Sequence, residues 1–171
     1  MSIREELYTE INATKDAFHK LLERVPVEAY NLPSGNSAWT VSEVLYHMSI
    51  APRMLGKDVK MITGQNWIYR LIPIIMPKKV FDWLNKNLTR YGARNSTPEF
   101  LAKEYDKAHK ATIDALAEVD DADFEKKLYY PDWDPLLSGE VTLERLFHYV
   151  RVHFDSHVEQ ILEIVEGKRA T

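Results

Sequence analysis

Leu143, Leu146, Val150, His153, His157, Ile161 and Ile164 follow one another at steps of three and four residues. That spacing is the buried stripe of an amphipathic α-helix, and it places two histidines in slots that call for aliphatic side chains. Residues four apart lie roughly 40° apart around a helix axis, so both imidazoles project from one face, one turn apart. Two imidazoles buried without partners would cost several kcal/mol in unmet polar groups. Two arrangements remove that cost. Either neighbouring side chains satisfy the rings by hydrogen bonds, or one metal ion takes a lone pair from each.

A third histidine bears on the choice. Thr40 with Glu43 three residues on has the form of a capping box. A helix follows through Val44, His47, Met48, Ala51 and Leu55. His47 stands at i+3 from Val44 and i−4 from Ala51, and so faces the core. If the two helices are neighbours, His47, His153 and His157 meet in one layer and favour the metal. Three nitrogen donors leave positions free, as catalytic rather than closed structural sites do. Pro52 cannot donate to the carbonyl four residues earlier, so this helix is expected to kink or break just past His47.

The remaining pattern is helical too. Ile3, Leu7, Ile11, Phe18, Leu21, Leu22 and Val25 form a first amphipathic helix ending before Pro26. The stretch from Pro26 to Ala38 reads as a loop. Gly64 to Asn95 reads as a crossover with one or two short helices. Ser96 or Thr97 before Pro98 and Glu99 opens a third main helix to about Glu118. A loop containing Tyr129-Tyr130-Pro131-Asp132-Trp133-Asp134 comes next, and the last helix is expected from near Val141 to near Gly167. No segment reads as a strand. The expectation is an all-α fold, a four-helix bundle with a long helical crossover between helices 2 and 3, formed by residues 1–171 as a single domain.

Composition narrows the function. A length of 171 residues fits one domain, and a hydrophobic fraction of 45% argues against disorder. The net charge of −4 gives no basic footprint for nucleic acid or a membrane surface. There is no cysteine, hence no disulfide, no thiolate ligand and no catalytic thiol of the chain's own. Neither a signal-peptide core nor an apolar run near the ~18 residues of a membrane span is present, and the expected location is the cytoplasm.

Ser37-Ala-Trp39-Thr-Val-Ser-Glu43-Val-Leu-Tyr-His47 resembles the segment that opens the second helix of the DinB/YfiT-like superfamily. Val152-His153-Phe-Asp-Ser-His157-Val-Glu-Gln160-Ile resembles its last-helix signature. With the helix order, the resemblance covers nearly the whole chain. It implies an up-down-down-up bundle, often dimeric, with His47, His153 and His157 as the ligands of a divalent ion such as Zn²⁺ or Ni²⁺. Members include thiol-dependent S-transferases and a maleylpyruvate isomerase, and many others have no assigned reaction.

Two classes of function follow. The first is a metal-dependent transferase of the thiol type, or a hydrolase, acting on a small molecule, with a low-molecular-weight thiol as a possible cosubstrate. The second is a non-catalytic bundle stapled by its metal, serving in stress response or partner binding. Glu43 is a candidate to orient the His47 ring, although its capping role competes with this. The aromatic loop at 129–134 is either a core plug or a rim of the site. His19, His109 and His148 read as surface or boundary residues. Arg53, Arg70, Arg90, Arg94 and Arg151 are possible holders of a cosubstrate carboxylate, and no pattern ranks them.

Overall fold

The computed structural model describes residues 2–35, 38–63, 76–134 and 136–167. Helix α1 spans Ile3–Arg24, α2 Val41–Thr63, α3 Lys78–Gly92, α4 Pro98–Ala117 and α5 Leu143–Val165. The chain is mostly helical, as its periodicity requires. Hydroxyl caps set three of the starts. Ser2 Oγ accepts from Glu5 N–H, Thr97 Oγ1 from Phe100 N–H and Thr142 Oγ1 from Arg145 N–H. Each satisfies an amide that has no partner inside its helix.

One feature departs from the sequence reading. The stretch before α5 is a hairpin, with β1 at Lys127–Asp134 antiparallel to β2 at Leu137–Thr142. Leu128 pairs with Val141 and Tyr130 with Gly139, whose φ of 78° lies where only glycine sits without strain. Val141 therefore lies in a strand instead of opening a helix, and α5 starts two residues later. Of the kink or break expected at Pro52, the break does not occur: α2 continues through that residue. There Thr112 Oγ1 of α4 donates to the Pro52 carbonyl at 2.9 Å, tying the segment to its neighbour.

Of the one or two helices expected in the crossover, one α-helix is present among the described residues. It has 15 residues and forms the second half, while 64–75 lies outside the described residues. Gly92, at the end of α3, lies against Tyr46 of α2. A Cβ at that position would meet the phenol ring at 2.2 Å, so only glycine allows this approach.

Helices α1, α2, α4 and α5 pack chiefly in a ring in which α4 touches α1 and α2, and α5 touches the same two. Two apolar clusters fill it. One joins Leu7, Leu116, Phe124 and Phe147 to Leu137 and Val141 of the hairpin. The other joins Phe18, Leu22, Val44, Leu45, Leu101 and Tyr105 to Phe154 and Ile161. Arg4 closes the open end of α4, donating to the Leu116 and Val119 carbonyls and pairing with Asp121 at 2.7 Å. His153 stands in α5 between Val150 of the first cluster and Phe154 of the second, so a polar layer sits where the two meet. Among the described residues, no helix is long and apolar enough to cross a membrane.

Candidate metal centre

The capping box fixes where α2 begins and hence where His47 points. Thr40 N–H donates to Glu43 Oε2 at 2.8 Å, and Glu43 N–H donates to Thr40 Oγ1 at 3.4 Å. Arg90 of α3 approaches the other oxygen of that carboxylate at 3.6 Å. Glu43 is thus engaged with the helix start and Arg90, and among the described residues no hydrogen bond joins it to His47.

One turn further, His47 meets both histidines of α5. Its Nε2 lies 2.9 Å from His153 Nε2, one ring donating N–H to the lone pair of the other. Ring centroids are 4.9 Å apart for His47 and His153, 5.2 Å for His47 and His157, and 4.7 Å for His153 and His157. One nitrogen from each ring falls within 4.8 Å of the other two. Zinc–nitrogen bonds of about 2.0–2.1 Å place tetrahedral donors about 3.3 Å apart. The observed spacing brackets that value, and neutral imidazole nitrogens suit Zn²⁺ and Ni²⁺. The donor set fits one divalent ion.

The electrostatics favour lone pairs over protons. His153 is 6% exposed; His47 and His157 are partly buried. Burial first, and the neighbouring His157 second, push His47 down to about 3. Burial with both other rings holds His153 well below the ordinary histidine range, and burial lowers His157. Near neutral pH all three rings are neutral, the form that ligates.

Gln160, one turn beyond His157, adds orientation. His157 Nδ1–H donates to Gln160 Oε1 at 3.2 Å, which leaves Nε2 with the free lone pair. The Gln160 carbonyl in turn accepts from Gly35 N–H at 3.3 Å, joining α5 to the loop before Trp39. In the sequence Gln160 stood only as part of a resembling segment. Its i+3 offset from His157 was the signal that marks it as a partner. Replacing Gln160 by Leu removes the acceptor and keeps the bulk, and is expected to weaken zinc binding about tenfold, with the helical circular dichroism unchanged. Competition with a chromophoric chelator measures this.

The surroundings are aromatic and apolar. Trp39 packs on His47 with centroids 4.8 Å apart, and Tyr149 on His153 at 5.5 Å. A cavity of about 20 Å³ opens beside His153, lined by Met48, Ala51, Pro52, Leu55, Tyr105 and Tyr149 among others. The other histidines stand elsewhere: His19 pairs with Asp106, His109 with Asn12, and His148 with Glu10. Of the arginines, Arg90 donates to the Ala38 carbonyl, Arg151 pairs with Asp155 and Arg94 lies over Tyr91. Arg70 lies outside the described residues. The loop at 129–134, now strand β1, reaches the site through Asp134, whose carboxylate accepts from the Tyr149 hydroxyl.

The sequence pattern of the DinB superfamily matches residues 10–161. No curated protein matches the chain in sequence. Among solved structures, the chain is similar to a mycothiol-dependent maleylpyruvate isomerase, with a TM-score of 0.68 and 14% identity over 94% of this chain and 63% of that one. A single-residue mutant of the same enzyme matches with a TM-score of 0.67, at the same identity and coverage. The chain spans less than two thirds of the length of these structures. At that identity the likeness is one of fold.

Proposed function

We propose, of a chain that belongs to the DinB superfamily, that it is an enzyme whose His47, His153 and His157 hold one divalent ion, zinc or nickel, and that it acts on a small molecule. The observation that carries the reading is the convergence of three neutral imidazole nitrogens within 4.8 Å, from two helices that the fold packs together. The ring of α1, α2, α4 and α5 supports reading those helices as a four-helix bundle of up-down-down-up order, with the site inside it. When bound, such an ion supplies Lewis acidity that makes a thiol or water nucleophilic near neutral pH.

The chain's own residues do the rest. The histidines remain neutral donors, so the ion's full charge is available to an anionic nucleophile. Trp39, packed on His47, and Tyr149, packed on His153, limit water around those rings. With no cysteine in the chain, a thiol must come with a cosubstrate. The fold shared with a mycothiol-dependent isomerase supports a thiol-using reaction over hydrolysis, and S-transfer is the form we propose. A homodimer in the cytoplasm, without nucleic acid or membrane, is part of the same proposal. The small size of the cavity beside His153 favours a second reading, a non-catalytic bundle stapled by its metal.

Zinc- and nickel-loaded protein, given a panel of low-molecular-weight thiols with haloarene and epoxide acceptors, is expected to consume both partners; His153→Ala is not. Absence of turnover across that panel and across hydrolysable esters would overturn the enzyme reading in favour of the staple.

A further inference from the structure

Strand β1 carries an irregularity with a consequence for the histidines. Its pairing with β2 shifts register between Tyr130 and Asp134, a bulge that re-aims side chains. Three side chains of this short stretch reach three different helical segments. The Tyr130 hydroxyl donates to Asp58 of α2 at 2.8 Å. Trp133 Nε1 donates to the Met76 carbonyl at 3.1 Å, and its ring stacks on Phe81 of α3 at 4.7 Å. Asp134 accepts from the Tyr149 hydroxyl of α5 through one oxygen and from Leu136 N–H at 2.8 Å through the other.

The last contact leads to the metal centre. Tyr149 precedes His153 by one helical turn, and their rings lie 5.5 Å apart. Burial, and then the hydrogen bond to Asp134, push the Tyr149 phenol up, so it stays a donor. Three neutral imidazoles would leave the double charge of an ion uncompensated, and a carboxylate hydrogen-bonded to the ring that packs on His153 lowers that cost.

We infer that Asp134, oriented by Tyr149 at the bulge of β1, is a positioning residue of the three-histidine centre, supplying the negative charge that the ligands lack without touching the ion. The inference rests on the metal reading above. It assigns the hairpin a part in metal affinity beyond packing.

Two variants separate charge from orientation. Asp134→Asn keeps an acceptor for Tyr149 and removes the charge. Tyr149→Phe keeps the ring and removes only the hydroxyl. Zinc affinity is measured by chelator competition, alongside the urea midpoint of the metal-free proteins. Asp132→Asn, at an exposed position of the same strand, is the control. The expected result is about tenfold weaker zinc binding for Asp134→Asn, a smaller loss for Tyr149→Phe, and a change under about twofold for Asp132→Asn. The loss for Asp134→Asn should exceed anything its urea midpoint explains. Affinities of Asp134→Asn and Tyr149→Phe that both match the parent would overturn this inference alone. A parent that binds no zinc would overturn the metal reading, and this inference with it. If Asp134→Asn fails to fold, the Tyr149→Phe affinity decides.

Discussion

Replacing both His47 and His153 by leucine is expected to raise the stability of the metal-free protein and to lower that of the zinc-loaded protein. His153 occupies an aliphatic slot of the α5 stripe and is buried between Val150 and Phe154. Without metal its imidazole is a desolvated polar group sharing one hydrogen bond with His47. Leucine at both positions removes the polar cost of the pair without leaving either ring unpartnered, a gain on the order of 1 kcal/mol. With zinc the order reverses. A ligand present at a thousand times its dissociation constant stabilises the folded state by about 4 kcal/mol, and leucine forfeits most of that. Thermal unfolding of both proteins in chelator and in excess zinc measures the crossing. A histidine held there for packing would give a leucine variant ranked the same way in both conditions.

The second large effect is on pH dependence without metal. An unfolded histidine titrates near 6.5, whereas burial holds His47 down to about 3 in the folded protein. Between those values the unfolded chain binds more protons than the folded one, so stability increases with pH. It is fully present above about pH 6.5 and is lost as pH falls toward 3, by about 1.4 kcal/mol per pH unit for one such group. His153 and His157 are shifted in the same direction and add to the slope. Urea midpoints in chelator should therefore fall steeply between pH 7 and pH 4, and less steeply for His153→Leu. Equal slopes for the two proteins would contradict a neutral His153 in the folded state.

Much of this arrangement was legible in the sequence, for reasons specific to each element. The α5 stripe was clear because its buried positions keep the helical period over 22 residues, from Leu143 to Ile164. The start of α2 was clear because Thr40 and Glu43 bond reciprocally across three residues. His47 was placed on the core side by its neighbours Val44 and Ala51, and contact between α2 and α5 then brought the rings together.

The hairpin was not legible. Pro131 and Pro135 flank Trp133, and strands are poor in proline. The bulge between Tyr130 and Asp134 also breaks the alternation that marks a strand. That α2 continues past Pro52 without a break was not legible, because the contact from Thr112 lies 60 residues away, where no local pattern records it. The same limit hid Tyr149 and Asp134, whose proximity depends on how β1 folds back against α5. Gln160 and His157 are local, and their pairing was there to be read.

The most direct test of the metal centre is elemental mass spectrometry of protein purified without a histidine tag, beside His47→Ala and His153→Ala. The account predicts about one equivalent of zinc or nickel per chain in the parent and loss of it in both variants. No metal in the parent, even after adding back Zn²⁺ or Ni²⁺ and dialysing, would contradict it, leaving His47 and His153 hydrogen-bonded to each other and His157 to Gln160.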